Sequence, residues 1–118
     1  MVDVSNDMVR VDIAAAPLSV AEAITWASAS DCGAVVTFCG TVRDNSEGRA
    51  GVTRLEYEAY AIVAEQRLSE VAHAARGRWG EVRRIALLHR VGSLAVGEVA
   101  VVVVVASPHR NEAFAAAQ

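Results

Sequence analysis

The stretch that most constrains this chain is residues 99–106, Val-Ala-Val-Val-Val-Val-Val-Ala. An unbroken apolar, β-branched run of this size reads as a strand buried in a core. It is the longest apolar run in the sequence, and it is too short to span a bilayer. Ser107-Pro108 ends it and begins a helix, with Ser107 placed as the N-cap and Pro108 at the first helical position. The rest of the chain has to supply the neighbours and covers that such a strand requires.

Residues 33–44, Gly-Ala-Val-Val-Thr-Phe-Cys-Gly-Thr-Val-Arg-Asp, form a second β-branched run. Its composition predicts a strand buried on both faces or nearly so. Gly40 lets the backbone bend or lets another chain come close. Arg43 and Asp44 follow at the strand exit, ahead of a loop with turn chemistry, Asn45-Ser46-Glu47-Gly48. A guanidinium there is suited to holding an anion, and equally to pairing with Asp44.

Elsewhere the periodicity changes from element to element. Residues 8–13 alternate loosely, as a first edge strand would. Ser19 and Glu22 make a capping box for a helix whose core side is Ile24, Ala27 and Val20. Residues 52–60 alternate strictly, with Leu55, Tyr57 and Ala59 against Arg54, Glu56, Glu58 and Tyr60. That pattern predicts a half-buried strand, antiparallel to its predecessor if the loop is a hairpin. Glu56 and Glu58 share a face as a carboxylate pair or as a solvated edge.

Ala61, Ala64, Leu68, Val71, Ala75 and Trp79 recur at helical spacing over residues 61–79. Residues 82–91 read as a strand with Ile85, Leu87 and His89 on one side and Ala86 and Leu88 on the other. Residues 92–98 then arch between Gly92 and Gly97. The order strand, helix, two strands, helix, two strands, helix implies one α+β domain with a mostly antiparallel sheet and helices packed on it.

At 118 residues the chain is one domain by length, and 53% hydrophobic residues is too many for disorder. A net charge of −3 argues against a nucleic-acid binder. No signal peptide or membrane span is read. Cys32 and Cys39 bracket an extended segment and cannot reach each other, so a reduced, cytoplasmic protein is expected. All eleven basic residues are Arg and none is Lys. No side-chain amine within these residues can therefore act as a base or nucleophile.

His109 and Arg110 sit on the first turn of the last helix, where free N–H groups and the helix dipole favour an anion. If Arg43 and Arg110 converge, two guanidiniums would hold a phosphate or carboxylate. Cys39 with His89 or His109 can be drawn as a nucleophile and base. Its neighbours Phe38, Thr37 and Val36 suit a small buried residue instead. No metal-ligand spacing is present, so no metal site is expected, and no cofactor.

Together, residues 33–44, Leu55-Glu56-Tyr57-Glu58-Ala59-Tyr60, His89-Arg90-Val91-Gly92 with Leu94 and Gly97-Glu98, and Ser107-Pro108-His109-Arg110 with Ala113-Phe114 resemble the large, catalytic subunit of molybdopterin synthase. The likeness runs in order and at the right spacing over about residues 17–118. It implies an α/β-hammerhead fold. It also implies conversion of a cyclic pyranopterin monophosphate (precursor Z) to molybdopterin, with sulfur carried as a thiocarboxylate on the Gly-Gly tail of a small ubiquitin-like subunit. The partners so implied are that sulfur carrier, in a heterotetramer centred on a homodimer.

By position, Phe38, Thr41, Val42, Arg43, His109 and Arg110 resemble substrate-binding residues, with Arg43 and His109 also candidates for catalysis. The family pattern continues past residue 118, into a segment bearing the lysines credited with catalysis. Residues 1–118 are therefore expected to be a single domain lacking that segment, in a shortened sequence. The alternatives are a non-catalytic α+β module for anion binding or assembly, and a hydrolase using Cys39.

Overall fold

The computed structural model describes residues 2–3, 8–42, 54–92 and 94–118, with the backbone alone for 2–3 and 54–60. The valine run forms β5 (Val99–Ser107), flanked by β4 (Arg84–Arg90) and β3 (Ala34–Thr41), both antiparallel to it. Beyond β4 lies β2 (Val9–Ala14), parallel to it, and then the two-residue β1 (Val2–Asp3), antiparallel to β2. The sheet order is β1-β2-β4-β5-β3. Three of its four pairings are antiparallel, so the α+β class and the mostly antiparallel sheet both hold.

Alternation along the strands splits the core into two layers. Helix α1 (Val20–Ala27) covers one face, where Ala23 and Ala27 meet Ala86, Leu88, Val102, Val104 and Ala106. Helices α2 (Arg54–Arg78) and α3 (Arg110–Ala117) cover the other, where Ala72 and Ala113 meet Val9, Val11, Ile85, Leu87 and Val105. Val102 and Val104 are fully buried, each worth roughly 2 kcal/mol of transfer free energy. The Ser19 hydroxyl accepts the Glu22 N–H at 3.2 Å, so α1 starts where the capping signal places it. Trp26 at the end of α1 lies between the guanidiniums of Arg10 and Arg84, 4.9 and 5.4 Å from its ring centre, which fastens the helix to the sheet.

Several sequence expectations are corrected. Residues 54–60 belong to α2 and not to a strand. Arg, Leu, Glu and Ala there are good helix formers, and no Gly or Pro separates them from the helix that follows. The partner of β3 is therefore β5 and not the next segment in the chain. Within α2 the buried stripe runs through Leu68, Ala72, Ala75 and Trp79, while Val71 is 60% exposed.

Another correction is the burial of β3. Among the described residues it pairs only with β5, so it is an edge strand there, with Phe38 54% exposed and Cys39 exposed as well. The expected edge strand, β2, is in turn flanked on both sides. Finally, His109 is the N-cap of α3, with extended backbone at φ −128 and ψ 152, in place of Ser107, and Arg110 in place of Pro108 is the first helical residue. Ser107 continues β5, opposite Ala34, and is fully buried.

Candidate functional site

The candidate residues fall into two groups. Phe38, Thr41 and Val42 lie along β3 and at its exit. Phe38 stands opposite Val103, on the sheet face that carries α3, and Thr41 stands opposite Val99. Between Gly40 and Thr41 the pairing skips Ala100, a β-bulge that shifts the register. Bulges of this kind bend a strand and re-aim the residues after it. Arg43 and residues 44–53, which the sequence reading gave to a loop and the start of a strand, lie outside the described residues.

The exit of β3 is clamped by the arch that precedes β5. Val42 N–H donates to the Glu98 carbonyl at 3.0 Å, and Gly97 N–H donates to the Val42 carbonyl at 2.9 Å. The Glu98 carboxylate closes the arch from within. One oxygen accepts the Ala95 N–H at 2.8 Å, and the other pairs with Arg90 Nη1. The Ala95 N–H and then the Arg90 guanidinium hold the Glu98 carboxyl below its usual range. Gly92 and Gly97 sit at φ +99 and +90, backbone that side chains other than glycine rarely adopt.

The second group is at α3. His109 and Arg110 are exposed at its start, and the His109 side chain makes no capping hydrogen bond to the first-turn N–H groups. Those donors, the helix dipole and the Arg110 guanidinium together favour an anion. The buried Ser107 Oγ directly precedes them and has no partner among the described residues.

Thr41 and Val42 do not meet His109 and Arg110 within one chain. Thr41 lies opposite Val99 at the start of β5, whereas His109 and Arg110 follow Ser107 at its end, opposite Ala34. Seven residue steps of β3 separate Thr41 from Ala34, roughly 23 Å of strand. The thiol–imidazole pairing is also set aside. Cys39 is in register with Val102 and His89 with Val101, so their side chains point to opposite faces of the sheet. His109 is at the far end of the ladder. Its exposure also removes Cys39 from the core, where its apolar neighbours had placed it.

Arg90 and Glu98 form an ion pair at the arch to which the sequence reasoning gave no role. Their motif was visible in His89-Arg90-Val91-Gly92 and Gly97-Glu98, but only the folded arch joins them. Among the described residues no group of three metal-type side chains converges, and no helix is long and apolar enough to cross a membrane.

Comparison with known proteins gives a consistent result. The family model described as MoaE protein matches residues 13–118. A molybdopterin synthase catalytic subunit of Taeniopygia guttata is 41% identical over 99 residues, which cover 84% of this chain and 63% of that protein. The Bacillus subtilis protein of the same name is 40% identical over 109 residues, covering 92% of this chain and 68% of its own length.

Among solved structures, molybdopterin cofactor biosynthesis protein E from Burkholderia multivorans superposes with a TM-score of 0.75 at 28% identity. The match covers 93% of this chain and 71% of that one. Molybdopterin synthase from Staphylococcus aureus gives a TM-score of 0.74 at 27% identity over 88% and 74%. The chain spans 61 to 63% of the length of several of the curated relatives it matches. With a family model covering residues 13–118 and relatives near 40% identity, the chain belongs to the MoaE family.

Proposed function

We infer that this protein works as the large subunit of molybdopterin synthase. In this reading it converts cyclic pyranopterin monophosphate to molybdopterin in the cytoplasm. Sulfur comes from the thiocarboxylated Gly-Gly C-terminus of a small ubiquitin-like subunit. The observation that carries the reading is the family match over residues 13–118. An α3 N-terminus that bears His109 and Arg110, and that the His109 side chain does not cap, supports it, because a cyclic phosphate is an anion of the kind that such a terminus holds.

Each residue has a physical part in this scheme. Arg110 and the first-turn N–H groups of α3 bind phosphate oxygens through charge-assisted hydrogen bonds. Arg43 supplies a second guanidinium, and Thr41, Val42 and Phe38 form the wall beside it. His109 hydrogen-bonds the substrate or moves a proton near neutral pH.

The strand-length separation between the two groups is resolved by the homodimer at the centre of the heterotetramer. The exit of β3 from one copy completes the site at α3 of the other, as a twofold arrangement permits. These residues contain no lysine, so no side-chain amine among them takes part.

The decisive experiment mixes the protein with thiocarboxylated small subunit and cyclic pyranopterin monophosphate. Gel filtration follows the complex, and mass spectrometry follows the product. A stable complex and a product carrying two added sulfurs are expected. Substrate binding without sulfur transfer would favour the non-catalytic module, which the missing lysines make the second reading. No complex and no product would overturn both the partner and the activity.

A further inference from the structure

We propose that Arg90 and Glu98 are positioning residues for the substrate-binding exit of β3, acting through the arch that clamps Val42. The proposal rests on the functional reading above, which puts Thr41 and Val42 in the site.

The mechanical path can be followed bond by bond. β4 is held on both sides, by β2 and by β5, and Arg90 is its last residue, in register with Ala14. The next residue, Val91, donates its N–H to the Ala14 carbonyl at 2.9 Å, so the base of the arch is fixed to the sheet. From that base the Arg90 side chain, only 12% exposed, reaches the Glu98 carboxylate. The second oxygen of Glu98 takes the Ala95 N–H. The arch is thereby closed into a loop whose two ends are tied by one carboxylate.

That loop then turns its outer backbone groups toward Val42, through the Glu98 carbonyl and the Gly97 N–H. Both backbone hydrogen-bonding groups of Val42 are used there. The bulge at Gly40/Thr41 adds to the case. The ladder with β5 slips at that point, which leaves the arch to set the direction of the strand exit.

An exposed ion pair would be a poor candidate for such a task. Arg90 is different because its guanidinium is largely desolvated and its Nε is buried with no partner among the described residues. Removing Glu98 strips that guanidinium of its carboxylate and releases Ala95 N–H in the same step. The expected consequence is a loosened arch and a misdirected β3 exit, with the valine core intact.

Two measurements test this on the full chain. Amide hydrogen exchange reads the clamp itself. Glu98→Ala is expected to speed exchange at Val42 and Gly97 by roughly tenfold while leaving Val102 and Val104 unchanged. Steady-state turnover with the thiocarboxylated small subunit reads the consequence. KM for the cyclic pyranopterin monophosphate is expected to rise about fivefold with kcat within about twofold.

Glu98→Gln keeps an acceptor for Ala95 N–H and should recover most of the lost KM. Arg90→Lys should recover part of what Arg90→Ala loses. A purely structural pair would lower the melting temperature without moving KM, and that result would overturn the proposal. Unchanged exchange at Val42 would overturn it too. A wild-type protein that binds the small subunit but turns nothing over, with Val42 responding as expected, would sink the functional reading and leave the clamp standing.

Discussion

Thr41 and Ser107 stand at opposite ends of the same β3–β5 ladder, one opposite Val99 and the other opposite Ala34. On this register Thr41 and Arg110 therefore cannot share a cavity through the sheet of a single chain. If each site is completed by two copies, Arg43→Ala and Arg110→Ala should each weaken substrate binding. The loss should be about 1 to 3 kcal/mol, the worth of a charge-assisted hydrogen bond. Mixing the two variants should then restore activity. A mixed dimer has one site with both arginines and one with neither, and should show about half the wild-type turnover. Mixtures no more active than either variant would place both arginines in one chain's site.

Gly97 and Gly77 separate backbone strain from helix propensity. A methyl group added at either position would meet nothing within 4 Å among the described residues. Gly97 sits at φ +90, and Gly97→Ala should cost about 1 to 2 kcal/mol. Gly77 lies inside α2, and Gly77→Ala should stabilise by about 0.5 to 1 kcal/mol. Urea unfolding of the two variants should move in opposite directions.

Acid should loosen the arch. The Ala95 N–H and the Arg90 guanidinium depress the Glu98 carboxyl, and the Arg83 side chain at 2.9 Å depresses Asp31 in the same way. For a depressed carboxyl the stabilising effect is present above its ordinary range and is lost as pH falls through the folded value. Unfolding midpoints should fall on acidification below about pH 4.5. Glu98→Gln should remove part of that slope, while an unchanged slope would show that Glu98 does not sense folding.

The two cysteines should report their different surroundings. Cys39 is exposed on the edge strand, whereas Cys32 is half-buried and its thiol is pushed up by burial and then by the Asp31 charge. Near neutral pH, alkylation followed by peptide mapping should label Cys39 first and Cys32 slowly. Cys39→Ser should abolish the fast phase and leave turnover in place, because the thiol faces away from His89 and Phe38. Loss of turnover in a folded Cys39→Ser protein would reopen a role for the thiol.

Much of this fold can be read along the chain. The valine run, the Ser19 cap and the alternation over Ile85 to Leu88 are local signals, and each names its element correctly because the physics is short-range. Residues 54–60 mislead for the same local reason. Strict alternation is compatible with a strand, yet the helix beyond them extends backwards through residues of good helix propensity.

What the sequence by itself determined was the class of fold, the two layers of apolar residues and the motifs that mark the family. Which strand lies at the edge was decided only when β5 took β3 and β4 as its neighbours, and that choice exposed Phe38 and Cys39. The separation of Thr41 from Arg110, and the closing of Arg90 on Glu98, were decided at the same level. Strand order and register depend on contacts between residues far apart in the chain. No window of neighbouring residues encodes them.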